Sequence, residues 1–180
     1  MNKLKILAIS GSLRKYSINT GLLKAVVGLG GDDMEITLAD ISTLPMYNQD
    51  LEASFPEVVT NLKKQISEAD GVIIATPEFN RSIPGALKNM LDWTSRPYGD
   101  ATWKGKPVAT MGATTSTLGT GLAQYHLKQI LLYLNTHVLG QPEFYLNASE
   151  KFDKEGNLTD EKTKEHIKKL LDVFGQHIKS

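Results

Sequence analysis

A chain of 180 residues with 41% hydrophobic and 22% charged side chains has the length and apolar content of one packed domain. Its 20 Lys and Arg balance 20 Asp and Glu, a formal net charge of zero that excludes a bulk electrostatic binder of nucleic acid and a strongly acidic carrier. Cysteine is absent, so disulfide scaffolds, thiolate metal sites, iron–sulfur clusters and cysteine nucleophiles are excluded too.

No window approaches the roughly 18 apolar residues of a membrane-spanning helix. The opening Met1-Asn-Lys3 runs straight into the apolar residues 4–9 and is too short and charged for a signal peptide. The sequence therefore reads as cytoplasmic, with neither membrane nor nucleic acid among its partners. The glycosylation sequons at Asn80 and Asn147 are then chance matches.

In chain order, two periodicities alternate. Residues 4–9 form a strand-length apolar run, followed by a helical stripe of Leu22, Leu23, Val26, Val27 and Leu29. A second run, 35–38, leads to a helix with Val58, Val59, Leu62, Ile66 and Ala69 on one face, and residues 54–57 have capping-box spacing at its start. The third strand, 71–75, is apolar throughout, as strands covered on both faces are. Pro84 suits the first turn of the next helix, where its missing amide would find no partner, and Leu87, Met90 and Leu91 continue that helix. Residues 107–111 supply a fourth strand, and Ala123, Leu127, Ile130, Leu131 and Leu134 mark a fourth helix. A fifth strand, 136–139, runs on toward 143–146. The last helix has Ile167, Leu170, Leu171, Phe174 and Ile178 on one face and charged residues on the other.

Strand and helix alternating five times specify an α/β, doubly wound parallel sheet. With no repeat, low-complexity tract or dividing linker, residues 1–180 read as a single domain, and only 147–158 reads as an extended surface loop. Right-handed crossovers place helices on both faces and leave the loops at the strand carboxyl ends as the site.

Three of those loops have unusual chemistry. After the first strand, residues 10–19 carry Ser10, Ser12, Arg14, Ser17 and Asn19 directly before a helix; hydroxyls, helix-start amides and a guanidinium fork suit a phosphate. The competing reading, an ordinary serine-rich helix cap, is the less favoured of the two. The loop lacks the G-x-G-x-x-G dinucleotide fingerprint and the Walker pattern, and contains no acidic residue to hold magnesium. After the third strand, Pro77 and Pro84 bracket a loop with Phe79 at its apex, a stiff segment that fits a flat heterocycle needing edge hydrogen bonds and a stacking face. After the fourth, residues 112–121 are small, hydroxylated and glycine-rich, allowing close backbone approach to a ring. Trp93, Tyr98 and Trp103 follow the second loop, and either a subunit interface or burial in one chain accounts for them.

The stretch Gly11-Ser-Leu-Arg-Lys-Tyr-Ser-Ile-Asn19 and the stretch Pro77-Glu-Phe-Asn-Arg-Ser-Ile-Pro-Gly-Ala-Leu-Lys-Asn-Met-Leu-Asp-Trp93 together resemble the NADPH-dependent FMN reductase family. The likeness is greatest to its bacterial quinone, chromate and azo-dye reductase branch, with 124–130 and 142–144 as further pieces. The resemblance implies a flavodoxin-like three-layer sandwich with a five-stranded parallel sheet in the order 2-1-3-4-5. It also implies FMN held non-covalently at the carboxyl edge and a homodimer or homotetramer. Ser10, Ser12, Arg14, Ser17 and Asn19 would then surround the FMN phosphate. Pro77, Glu78, Phe79 and Asn80 would line the isoalloxazine, and Thr114 and Thr115 its pyrimidine side. Phe79 stands where the family usually carries Tyr, so the ring face is kept and a hydroxyl contact is lost. By the same analogy His126 lies at a subunit interface.

With FMN bound, hydride chemistry belongs to the flavin and no catalytic side chain is expected. His126, His137, His166 and His177 show no metal-binding spacing, so no metal is expected either. The implied reaction is ping-pong: NADPH or NADH reduces FMN, and a quinone, azo dye, flavin or metal ion such as chromate then takes the electrons. Two rivals share the loops: a flavodoxin-type electron carrier, and a binding module for a phosphorylated metabolite without redox chemistry. Turnover without a partner reductase separates the enzyme from the first, and flavin uptake separates it from the second.

Overall fold

The computed structural model of the chain describes residues 3–100 and 102–180. β1 (Leu4–Ser10), β2 (Met34–Ala39), β3 (Gly71–Ala75) and β4 (Pro107–Thr114) lie in the order β2-β1-β3-β4, every pairing parallel. The fifth position, beside β4, is shared by β5 (His137–Val138) and β6 (Tyr145–Asn147), which completes the flavodoxin-like 2-1-3-4-5 order. Successive strand residues face opposite sides of a sheet, so each central strand feeds two cores. Ile6, Ala8, Ile73 and Ala75 pack under α1 (Ile18–Leu29) and α5 (Glu161–Lys179). Leu7, Ile9, Val72 and Ile74 pack on the other side, under α2 (Glu57–Glu68), α3 (Gly85–Thr94) and α4 (Gly121–Tyr133). Burial on both faces is why β1 and β3 carry almost no polar residue.

The fifth strand is not the continuous run that the apolar pattern suggests. Val108 pairs with Val138 and Gly112 with Tyr145, so four steps along β4 face seven along its neighbour, and the surplus around Gly140 and Pro142 loops out. The second segment gives β4 a partner beyond Met111: the Gly112 amide donates to the Phe144 carbonyl at 3.1 Å, and the Ala148 amide to Thr114 at 2.9 Å. Gly112, Ala113 and Thr114 are therefore strand rather than turn.

Two helix starts also differ from expectation. Pro56, with no side-chain group to accept a helix amide, occupies the cap position of α2, so Ser54 cannot close a capping box; it ends a short 3₁₀ turn, Gln49–Ala53, instead. Pro84 sits one residue outside α3 rather than within its first turn. Trp93 and Trp103 are buried in the chain's own core, their indole N–H groups donating to the Pro45 carbonyl at 2.8 Å and the Thr94 hydroxyl at 3.0 Å. They are unavailable to an interface, whereas Tyr98 is exposed.

Residues 148–160 form a folded strap rather than a free loop. Phe152 and Leu158 bridge antiparallel, and the Asp153 carboxylate accepts from the Asn157 amide at 2.8 Å. Gly156, at φ +81°, rides on the backbone of Tyr16 and Ser17. A Cβ at Gly21 would lie 1.7 Å from the Gly156 carbonyl oxygen, so strap and α1 meet backbone to backbone. Gly21→Ala should therefore cost about 1–3 kcal/mol through overpacking. Urea unfolding should show a lowered midpoint at unchanged slope; an unchanged midpoint would mean that the strap yields freely.

Candidate active site

Parallel register decides where the three loops emerge. Ser10 pairs with Ala75 and Ala75 with Met111, so β1 and β3 end level beside the middle of β4. The next residues continue the ladder, Gly11 N–H to the Ala75 carbonyl at 2.8 Å and Thr76 N–H to Met111 at 3.0 Å. β4 then runs on for three residues to Thr114, rising about 10 Å above this rim at ~3.3 Å per residue. The result is a floor at β1 and β3 with a wall at β4. Gly112 is required at the foot of the wall: a Cβ there would fall 2.1 Å from the Thr120 hydroxyl and 2.4 Å from the Thr76 carbonyl.

In the first loop, buried Ser17 caps α1, its hydroxyl accepting from the Thr20 amide at 3.3 Å. The next two amides of the helix, those of Ile18 and Asn19, have no protein acceptor among the described residues. Such amides, with the partial positive charge of a helix start, favour an anion. Ser12 is half-buried beside them and Arg14 is exposed at the mouth. The Ser10 hydroxyl pairs with that of Thr20 at 2.8 Å. A cavity of about 260 Å³ opens alongside, lined by Ser10, Ser12, Arg14, Thr20, Asp40 and Ser42 among others. The Ser42 amide, bonded to Asp40, holds that carboxyl below its usual value.

Asn19 behaves differently from its neighbours. Its side chain is buried, donating to the Ala113 carbonyl and accepting from the Ala113 amide, both at 2.9 Å. Only its backbone amide is left for a ligand, and its side chain ties the first loop to the wall.

The second loop is a hairpin. Phe79 and Ser82 exchange both backbone hydrogen bonds at 3.0 Å, and Asn80 (φ +51°) and Arg81 (φ +63°) form a left-handed pair at the tip. This is a type I′ turn, usually built with glycine or asparagine, so Arg81 is held against its own preference. Phe79 is 54% exposed, a ring offered to solvent rather than a core plug. The Glu78 carboxylate is turned away from the rim: it accepts from the Ala123 amide in the first turn of α4 at 3.1 Å and lies 3.5 Å from the Arg81 guanidinium.

The third loop leaves the wall at Thr115. Thr114 is half-buried and Thr115 exposed, and the amides of Thr115, Thr117 and Leu118 have no protein acceptor among the described residues. Behind the wall, fully buried Gln124 satisfies all its polar atoms, donating to the Thr120 hydroxyl and the Phe144 carbonyl at 2.9 Å and accepting from Thr110 at 3.0 Å. The Tyr145 hydroxyl donates to Glu143 at 2.6 Å, and Lys128 reaches the same oxygen at 3.0 Å. These bonds lower the Glu143 pKa, while burial and the neighbouring carboxylate raise that of Tyr145.

The structure thus gathers Ser10, Ser12, Arg14, Ser17, Pro77, Phe79, Asn80, Thr114 and Thr115 along one rim, and gives the side chains of Asn19 and Glu78 to bonds between loops. The local pattern assigns no role to the side chains of Thr20, Ser82 and Gln124 or to the backbone of Gly156. Gln124 had a signal: a polar residue three before Leu127 and seven before Leu131, on the apolar stripe of α4.

An anion-receptive helix start, an exposed aromatic on a rigid hairpin and a loop of unpartnered amides above the wall, all on one edge of a 2-1-3-4-5 sheet, are the parts of a flavodoxin-like flavin-binding protein. Their donor chemistry fits FMN, a phosphate at one end and a flat ring with acceptor atoms at the other. The chain belongs to the NADPH-dependent FMN reductase family, whose model matches residues 4–151. It is 42% identical over 177 residues to a 2-hydroxy-1,4-benzoquinone reductase of a Burkholderia species, covering 98% of this chain and 97% of the relative. An NADPH:quinone oxidoreductase of Arabidopsis thaliana is 46% identical over 176 residues, covering 93% and 88%. The solved structure of FerB, a flavoenzyme NAD(P)H:(acceptor) oxidoreductase from Paracoccus denitrificans, superposes with a TM-score of 0.90 at 41% identity, covering 98% and 97%.

Removing the Asn19 amide would strand the buried Ala113 N–H and C=O. Asn19→Ala should destabilise the fold by about 1–3 kcal/mol per stranded group, and hydrogen exchange at the Ala113 amide should lose protection. Retained protection there would show that the tie is dispensable.

Proposed function

We propose that the chain is an FMN-dependent NAD(P)H oxidoreductase that reduces quinones, and that residues 1–180 act as one flavodoxin-like FMN-binding domain. The observation that carries this reading is the pair of unpartnered α1 amides on the same rim as the exposed Phe79 ring. Ser10, Ser12, Arg14, Ser17 and the Asn19 amide would hold the phosphate. Pro77, Phe79 and Asn80 would meet the isoalloxazine, with Glu78 fixing their hairpin from behind. Thr114, Thr115 and the free amides after them would receive its pyrimidine oxygens. When bound, FMN supplies the capacity to accept a hydride and pass on two electrons.

The chain's own part is to bind, orient and leave access. The amides of Thr115, Thr117 and Leu118 place fixed donors where negative charge would gather, a stabilisation that needs no rearrangement. No side chain need act as acid or nucleophile. One open rim serves donor and acceptor in turn, a ping-pong order, and tolerates azo dyes, free flavins and chromate besides quinones. The electron donor is NADH or NADPH, which meets the flavin at the same rim, since the sequence has no separate dinucleotide fingerprint.

Among the described residues no helix is long and apolar enough to cross a membrane, and we place the protein in the cytoplasm. Exposed Leu118, Leu122, Tyr125, Leu132 and Tyr133 on α4 and its approach support a homodimer or homotetramer. A stable monomer in sedimentation at micromolar concentration would overturn the assembly.

The function is tested by purifying the protein, titrating it with FMN and following NADH and NADPH oxidation with a benzoquinone. Turnover by the protein alone is expected. A requirement for a partner reductase would make it a carrier, and failure to take up FMN a phosphometabolite-binding module. Arg14→Ala with Ser17→Ala should weaken FMN binding by roughly 10²- to 10⁴-fold, since hydrogen bonds to charged groups contribute about 1.5–3 kcal/mol each. Circular dichroism should stay native. Unchanged FMN affinity would remove the phosphate role of the first loop.

A further inference from the structure

The hairpin that carries Phe79 has an anchor at each end, and both anchors lie on one helix. At its start, Glu78 accepts from the Ala123 amide at 3.1 Å; at its finish, the Ser82 hydroxyl shares a 3.0 Å hydrogen bond with Nδ1 of His126. Ala123 and His126 are three residues apart on α4 and so share a face. Between the anchors, Asn80 and Arg81 hold left-handed backbone conformations. Side-chain residues in that region stay there only when their surroundings impose it. Two backbone bonds and the Glu78–Arg81 pair act within the hairpin itself, while Ala123 and His126 fix it relative to the wall.

We propose that His126 is a positioning residue for the flavin site. Through Ser82 it sets the angle at which the Phe79 hairpin faces the wall, and so governs how tightly FMN is held. His126 would touch neither cofactor nor substrate. The proposal rests on the reading above that this hairpin lines FMN. Within one chain both partners are polar and at least partly solvent-accessible, so burial in the chain's own core does not force their pairing. Because Nδ1 makes the contact, asparagine at 126 can place an amide group in the same position, whereas glutamine carries its amide one bond too far.

Two measurements on the apoprotein and its FMN complex test this for His126→Ala, Ser82→Ala, the double variant, His126→Asn and His126→Gln. In the apoprotein, hydrogen exchange at the amides of Phe79 and Ser82 reports the hairpin without any flavin. FMN titration reports the site. We expect each alanine variant to speed hairpin exchange and to weaken FMN binding about fivefold, the worth of one hydrogen bond of about 1 kcal/mol. The double variant should be no worse than either single one. Asparagine should restore both readouts and glutamine neither. Wild-type exchange in His126→Ala, additive losses in the double variant, or failure of asparagine to restore would each overturn the proposal. Absence of FMN binding by the wild-type protein would instead sink the functional reading and leave the exchange result to decide whether the anchor exists.

Discussion

Parallel pairing is the constraint from which the site follows. Because β1, β3 and β4 run the same way in fixed register, the residues after Ser10, Ala75 and Met111 must emerge at one edge. An antiparallel partner would have sent one of the three loops to the opposite end. The strands can keep this arrangement only while both faces are covered, which the α1/α5 core and the α2/α3/α4 core provide. The two hydrophobic layers, remote from any chemistry, thus decide which polar groups meet.

On that edge the loops are locked to one another rather than merely adjacent. Asn19 ties the first to the wall, Glu78 ties the second to α4, and Gln124 joins the start of α4 to Thr110 of β4 and to Phe144, just before β6. Each tie satisfies backbone groups that would otherwise be costly to bury. A ligand entering the rim meets donors already oriented, with little of its binding energy spent on ordering them.

Much of this architecture is legible in the sequence because it depends on periodicity. The nearly unbroken apolar runs 4–9 and 71–75 identify central strands, and the stripes of α1, α4 and α5 identify the faces they bury, except that Val27 of α1 turns out to solvent. What periodicity cannot carry is pairing. The extension of β4 through Thr114 depends on β6, a segment more than 30 residues away whose interrupted pattern reads as one strand. The site follows the same division. Ser12, Arg14 and Phe79 are recognisable by type and by their place after a strand, whereas the inward turn of Asn19 and Glu78 depends on partners at Ala113 and Ala123 that no local pattern names. The box at 54–57 fails for a local reason, since a proline takes the cap position itself.

The strap at 148–160 carries the chain past residue 151, where the family match ends, and returns it through Gly156 onto Tyr16 and Ser17. The first loop is therefore braced from outside, backbone against backbone, by a turn from the far end of the chain. The order of residues 16–21 is thereby tied to a turn about 140 residues further along the chain, and not to their sequence neighbours alone.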